Sequence, residues 1–394
     1  MNVLIADKVN AKMIDALTAL GVEVTYKPEL AAEDLATEIG DVKVLIVRSK
    51  KVTGKVIDAG KHLSLIIRAG AGVNTIDLDA ASRNGIYVAN CPGKNTDAVA
   101  ELVIGLLIAC DRGIADATQA LRQGAWQKKK FGNASGLKTR TMGIIGLGAI
   151  GMAVAQRAQA LGMPILAWSR RLTPEQAEGY GFEFAATPLE VAQKADAISI
   201  HVAAAPETKG MIQADFFAAM KKGAIFLNTA RGDVVDYAAL LEAIDTRELK
   251  VGLDVFPNEP TGGEAAFEQV ELAAKVVCTP HIGASTEQAE EAIAAEVVRI
   301  VEVFISDGSP PNAVNIRAPQ ATGSKLVVRH HNRVGVLAQV LAQLRDKGIN
   351  IEEMQNRIFD QARTASCTIT LDKTPTPELL DVLRQDPSII EVMI

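Results

Sequence analysis

The chain has 394 residues, 48% of them hydrophobic, with a mean hydropathy of +0.15; this is too much apolar material for one ordinary core and implies two or three domains. Its 41 basic and 47 acidic residues leave a net charge of −6 and are mixed along the chain, which excludes a broad nucleic-acid surface. The longest apolar stretch, around Leu102 to Cys110, is far shorter than the ~20 residues that cross a bilayer, so no membrane span is expected. The opening Met1-Asn2-Val3-Leu4-Ile5-Ala6-Asp7 reads as a strand rather than a leader. Four scattered cysteines (Cys91, Cys110, Cys278, Cys367), with no Cys-x-x-Cys, suggest neither a disulfide framework nor a metal site, and fit a reducing cytoplasm.

Short apolar runs at Val3–Ile5, Val22–Val24, Val44–Val47, Leu65–Ile67 and Tyr87–Val88 alternate with amphipathic stretches such as Ala11 to Leu20. That alternation predicts a parallel sheet covered by helices. The turn Cys91-Pro92-Gly93 ends this unit, and Asn95 or Thr96 offers an N-cap for a helix running to about Leu121. The basic run Lys128-Lys129-Lys130-Phe131 is expected on a solvated loop. A second alternating unit has strands at Met142–Ile145, Ile165–Ala167, Ala197–Ile200, Ala224–Leu227, Gly252–Val255 and Val276–Cys278, followed by a helix from Thr286 to about Ser306. The cluster Asp307-Gly308-Ser309-Pro310-Pro311-Asn312 breaks the chain. From Lys325 the order is strand, helix, strand, strand, helix, strand, the ferredoxin-like βαββαβ pattern. The fold class is therefore α/β: two doubly wound parallel-sheet domains and a C-terminal ferredoxin-like α+β domain.

Gly146-Leu147-Gly148-Ala149-Ile150-Gly151 follows the strand Met142–Ile145 and opens a helix, the context in which a glycine fingerprint binds a dinucleotide. Gly146 serves the tight turn, Gly148 the approach of a pyrophosphate and Gly151 the close packing of helix on strand, while N–H groups at the helix start, Ala149 and Ile150 included, face the phosphates. The next strand ends in Trp168-Ser169-Arg170-Arg171, where an NAD-selective site would carry an acid; Ser169, Arg170 and Arg171 instead suit a 2′-phosphate, so acceptance of NADP is expected. Downstream come Arg231 in Asn228-Thr229-Ala230-Arg231-Gly232, Glu259 in Asp254-Val255-Phe256-Pro257-Asn258-Glu259-Pro260, and His281 in Thr279-Pro280-His281-Ile282-Gly283. An imidazole exchanges a proton near neutrality, a carboxylate orients it, and a guanidinium binds a substrate carboxylate on two prongs.

Taken together these segments resemble the D-isomer-specific 2-hydroxyacid dehydrogenase family, and within it the members that oxidise 3-phosphoglycerate. The resemblance spans nearly the whole chain. It implies NAD as cofactor, Arg231 as carboxylate binder, Glu259 as partner of the imidazole, His281 as acid/base and Asp254 near the nicotinamide carboxamide. It implies a discontinuous substrate domain (1–94 and 285–316), a dinucleotide domain inserted at 95–284, and a third domain at 324–394. Arg48-Ser49 and Arg68, with Gly72 in the loop after it, would face a small phosphorylated 2-hydroxy acid; Asn74 stands where many relatives carry aspartate. The resemblance also implies a homo-oligomer, dimer or tetramer, built on a homodimer through the dinucleotide domain and extended by pairing of the C-terminal domains.

The C-terminal segment His330-His331-Asn332-Arg333-Val334-Gly335-Val336-Leu337 resembles the signature of ACT domains, with Val334 in place of proline. The resemblance implies that His330, Asn332 and Asn350 contact an amino-acid effector, serine in this family; an imidazole and two carboxamides can bind a small zwitterion. Two rival readings stand beside the oxidation of 3-phosphoglycerate. One is an NADPH-dependent reductase of glyoxylate or hydroxypyruvate, favoured by Ser169-Arg170-Arg171. The other is a cofactor-sensing binding protein without turnover, disfavoured by the intact set Arg231, Glu259 and His281.

Overall fold

The computed structural model describes residues 1–260, 265–317 and 324–394. They form two compact units, Met1–Asn315 and Ile316–Ile394. The first unit holds two parallel sheets. Strands β1 (Asn2–Ile5), β2 (Glu23–Tyr26), β3 (Val44–Val47), β4 (Leu65–Arg68) and β5 (Tyr87–Asn90) lie in the order β2-β1-β3-β4-β5, a flavodoxin-like arrangement. Alternate side chains serve opposite faces of this sheet. Val3, Ile5, Val44, Ile46, Leu65 and Ile67 pack against helix Ala11–Ala19 and the long helix Glu287–Asp307, while Leu4, Leu45, Val47, Ile66 and Val88 meet Leu35, Val56, Ile57 and Ala80. Burial on both faces explains why β3 and the Leu65–Ile67 part of β4 read as unbroken apolar runs, whereas the edge strand β2, with no buried residue, alternates as Glu-Val-Thr-Tyr.

The second sheet comprises β6 (Met142–Ile145), β7 (Ile165–Trp168), β8 (Glu183–Phe184), β9 (Ala197–Ile200), β10 (Ile225–Asn228), β11 (Lys250–Leu253) and β12 (Val277–Cys278), in the order β12-β11-β10-β9-β6-β7-β8. The order reverses between β6 and β9, which places a topological switch point beside the glycine loop. Strand β8 is absent from the sequence expectation because its two residues, Glu183 and Phe184, hold a single apolar side chain and form no apolar run. Strand β11 lies two residues upstream of Gly252–Val255, so that Asp254 and Val255 belong to the loop after it.

Two helical expectations need correction. The helix after β5 does not run unbroken to Leu121: Gly113 takes φ +60° and divides it into Thr96–Arg112 and Ile114–Arg122. A glycine enters that left-handed region without the Cβ clash that holds other residues in the helix. Asn95 holds the N-cap position but makes no side-chain cap bond. Lys128–Phe131 forms one helical turn rather than a loop. Among the described residues no helix is long and apolar enough to cross a membrane.

After β12 the chain returns to the first sheet. Helix Glu287–Asp307, capped by Thr286 Oγ1 on Ala289 N–H, lays Ile293, Val297, Ile300, Val301 and Phe304 on that sheet. Val314 N–H then donates to Val88 O. Glu296 is the polar hub of this return. It is buried, accepts from Arg299 Nη2 at 2.5 Å and Asn312 Nδ2 at 2.6 Å, and has Lys94 Nζ at 3.3 Å. The Arg299 hydrogen bond, helped by Asn312 and Lys94, holds its carboxyl down at about 2 against the opposing effect of burial.

The second unit is an antiparallel sheet of β13 (Ser324–His331), β14 (Ile351–Ile358), β15 (Thr364–Leu371) and β16 (Ile389–Met393), ordered β14-β15-β13-β16. Helices Val336–Asp346 and Pro377–Arg384 supply Val340, Leu344, Leu379 and Leu383 to a core with Leu326, Val328, Cys367 and Ile369. The βαββαβ order is as expected.

Candidate active site

The glycine loop has the geometry a dinucleotide needs. Gly146 takes φ +99°, and a Cβ there would lie 2.7 Å from the His201 carbonyl at the end of β9. A Cβ on Gly151 would lie 2.1 Å from Gly146 O, so helix Ala149–Ala160 can approach β6 only with hydrogen at that position. Gly148, at the helix N-cap, faces open space, and the N–H groups of the first turn, Ala149 and Ile150 among them, have no partner within the helix. Beyond β7, Ser169 O accepts from Leu172 N–H in a turn; Arg170 and Arg171 are exposed and make no ion pair among the described residues.

Arg231, Glu259 and His281 follow β10, β11 and β12 at the same end of the sheet. His281 Nδ1 lies 2.5 Å from Glu259 Oε2, and Phe256 N–H donates to Glu259 Oε1 at 2.9 Å. Burial alone would raise the Glu259 carboxyl; the His281 and Phe256 hydrogen bonds, with the charges of His281 and Arg231, carry it below its ordinary value. His281 itself sits at φ +52°, a conformation that L side chains rarely adopt.

Asp254, which the family resemblance sets near the nicotinamide carboxamide, is nearly fully buried and takes three donors: Thr279 Oγ1 at 2.6 Å, Ile282 N–H at 2.8 Å and Gly283 N–H at 2.8 Å. These flank His281 on both sides, so Asp254 staples the loop that presents the imidazole. Burial raises its carboxyl above the ordinary range despite those donors.

Arg231 is held through its backbone. The buried Asn228 side chain accepts from Ala230 N–H at 2.9 Å and donates to Arg231 O at 3.0 Å. Arg231 Nη1 donates to Ala230 O, and Nη2 lies over Gly72, where a Cβ would come within 2.4 Å. The loop after β4 thus meets the residue after β10. Arg68, at the end of β4, donates from Nε to Arg48 O at 3.0 Å. Burial lowers its guanidinium to about 10, with Arg231 and Arg48 as like-charged neighbours. Three guanidiniums from two sheets therefore converge, an arrangement that favours an anion.

Arg48-Ser49-Lys50 has an organiser absent from the sequence expectation. The buried Asp7, just after β1, accepts the N–H groups of Arg48, Ser49 and Lys50 on one oxygen at 2.7, 3.0 and 3.0 Å. Ser49 Oγ reaches the other oxygen at 3.5 Å, so this hydroxyl faces Asp7. Arg48 Nη1 donates to Glu290 Oε1 at 3.0 Å. His201 was also missed: burial pushes its imidazole down to about 3, and its Nε2 is buried without a partner beside the glycine loop. The only sequence clue to Asp7 and His201 was a polar residue ending an apolar run.

In the C-terminal unit the three expected effector contacts do not converge. Asn350 adjoins the Ile351–Leu371–Ser324 end of the sheet, whereas His330 pairs with Ala365 at the other end, about 20 Å away by strand rise. His330 is buried, with Nδ1 on His331 O at 2.9 Å and Nε2 on Asn356 Oδ1 at 3.3 Å; Asn332 Nδ2 donates to Ala362 O at 2.9 Å.

Residues 104–283 match the family model of the D-isomer specific 2-hydroxyacid dehydrogenase NAD binding domain, and residues 324–388 match the ACT domain. The chain is 36% identical over 357 residues to D-3-phosphoglycerate dehydrogenase of Methanocaldococcus jannaschii, covering 90% of this chain and 67% of that protein. It spans about three fifths of the length of the other curated relatives it matches. Among solved structures, NAD+-bound 3-phosphoglycerate dehydrogenase of Entamoeba histolytica superposes with a TM-score of 0.67 at 27% identity, covering 80% of this chain and 98% of that one. An NADPH-dependent glyoxylate/hydroxypyruvate reductase of Sinorhizobium meliloti does so with a TM-score of 0.69 at 29% identity, covering 79% and 96%.

Proposed function

The chain belongs to the D-isomer-specific 2-hydroxyacid dehydrogenases, a family of NAD-binding oxidoreductases, and we propose that it oxidises D-3-phosphoglycerate to 3-phosphohydroxypyruvate, a step toward serine. The observation that carries this reading is the His281–Glu259 pair on the same sheet edge as Arg231, with Arg68 and Arg48 brought beside Arg231 from the other sheet. Glu259 occupies Nδ1, which leaves Nε2 of His281 to take the proton of a substrate hydroxyl. Arg231 holds the carboxylate; Arg68 and Arg48 hold the phosphate. The glycine loop fits a nicotinamide dinucleotide, which supplies the hydride acceptor when bound. Closure of the two sheets over the substrate would exclude water and fix the reacting groups.

Arg170 and Arg171, exposed and without an ion pair among the described residues, support acceptance of a 2′-phosphate, and hence the reductase reading as the rival. Four free cysteines, three of them buried, fit a reducing cytoplasm. Helix Ile114–Arg122 buries none of its residues and Trp126 is 81% exposed, which supports a homo-oligomer with this apolar face against a second copy. A serine pocket built from His330, Asn332 and Asn350 then needs two ACT domains, each giving opposite ends of its sheet.

Steady-state rates on 3-phosphoglycerate, glyoxylate and hydroxypyruvate, with NAD(H) and NADP(H), with and without serine, test the reading. Oxidation of 3-phosphoglycerate at the highest kcat/KM is expected. Preferred glyoxylate or hydroxypyruvate reduction with NADPH would establish the rival, and no turnover of any 2-hydroxy acid would leave a cofactor-sensing protein.

A further inference from the structure

The three guanidiniums of Arg48, Arg68 and Arg231 lie close enough to repel one another, yet among the described residues only one carboxylate is within ion-pair distance of any of them. That carboxylate is Glu290, in the first turn of helix Glu287–Asp307, whose Oε1 accepts from Arg48 Nη1 at 3.0 Å. Both side chains keep about a third of their surface in solvent, so the pair can open without exposing a core. Arg48 does not need Glu290 to hold its place, because Asp7 fixes the backbone N–H groups of Arg48, Ser49 and Lys50, and Arg48 O receives Arg68 Nε. What Glu290 contributes is the one carboxylate in ion-pair contact with the cluster among the described residues; Asp7 and Glu259 act on Arg68 and Arg231 only at longer range.

We propose that Glu290 is a specificity-determining residue. It serves as the resident counter-ion of Arg48, and an incoming anionic group must displace it. The proposal rests on the reading of the arginine cluster as an anion site. Glu290 lies only nine residues beyond His281, at the start of the helix that returns to the first sheet, so the segment that presents the acid/base also delivers the competing charge. A substrate whose far end is doubly charged competes for Arg48 better than one that ends in a hydroxyl. Removing the charge of Glu290 should therefore favour the phosphorylated substrate further.

The test compares the full chain with Glu290→Gln and Glu290→Asp. Inorganic phosphate, titrated without substrate and read by thermal shift, should bind Glu290→Gln about two- to fivefold more tightly, the scale of a partly exposed ion pair. The KM for 3-phosphoglycerate should fall by a similar factor, while that for D-glycerate changes less and the effect on kcat is smaller than that on KM. Glu290→Asp keeps the charge and should follow the wild type. Unchanged or weaker phosphate binding in Glu290→Gln, equal movement of both KM values, or equal tightening in Glu290→Asp would each overturn the proposal. A chain that oxidises only unphosphorylated 2-hydroxy acids would refute the functional reading, and the phosphate titration would still decide the role of Glu290.

Discussion

Replacing Glu259 with glutamine probes the acid–base pair with little change of shape. In the native protein Oε2 faces His281 Nδ1 at 2.5 Å and Oε1 takes the Phe256 N–H at 2.9 Å. The carboxylate thus offers two acceptors to two donors. A glutamine offers one acceptor, so either Phe256 N–H or the imidazole N–H must face an NH2 group. A hydrogen bond to a charged group contributes about 1.5–3 kcal/mol and a neutral one about 0.5–1.5 kcal/mol. With the pair partly exposed, and with one donor left unmatched, a loss of about 2 kcal/mol is expected in the proton-transfer step. That corresponds to roughly 30-fold in kcat. The assay is oxidation of 3-phosphoglycerate followed by the absorbance of the reduced nicotinamide, with cofactor affinity measured separately by fluorescence. A kcat within about twofold of wild type, or a loss confined to KM, would refute the view that Glu259 acts on the imidazole.

Three further outcomes are expected. His281→Ala should cut kcat by about 10²–10⁴, the usual share of a general acid–base group, and wild-type turnover would remove it from the chemistry. Gly151→Ala sets a methyl group 2.1 Å from Gly146 O, so the glycine loop must open; binding of reduced cofactor, titrated by fluorescence, should be lost. The folded Glu296 carboxyl is held at about 2, below its ordinary 4.5, so its contribution to stability is complete above about pH 4.5 and disappears as pH falls toward 2. Urea unfolding of Glu296→Gln should accordingly lose most stability near neutrality and converge with wild type in acid; a constant difference across that range would contradict the assignment.

The sheets were legible because parallel strands buried on both faces write continuous apolar runs, as Val44–Val47 and the Leu65–Ile67 part of β4 do. The glycine loop was legible because sterics leave few alternatives at Gly146 and Gly151. The break at Gly113 carried a visible clue, a glycine inside a helical pattern, but its conformation depends on what the flanking helices pack against. Asp7, Asn228 and Asp254 act on backbone N–H groups, which carry no side-chain signature, and two of the three act on segments more than 20 residues away. The separation of Asn350 from His330 follows from antiparallel register, which cannot be read until strands are paired.

The left-handed backbone at His281 bears on how this protein can change. Most side chains resist φ +52°, at a cost of about 1–2 kcal/mol, whereas glycine accepts it freely. The residue argued to move the proton therefore occupies a position that folding alone would give to glycine. Directed evolution toward heat resistance, without a growth requirement, should drift to glycine there and yield sturdier but inert molecules. Only continued demand for the product would keep an imidazole at that bend.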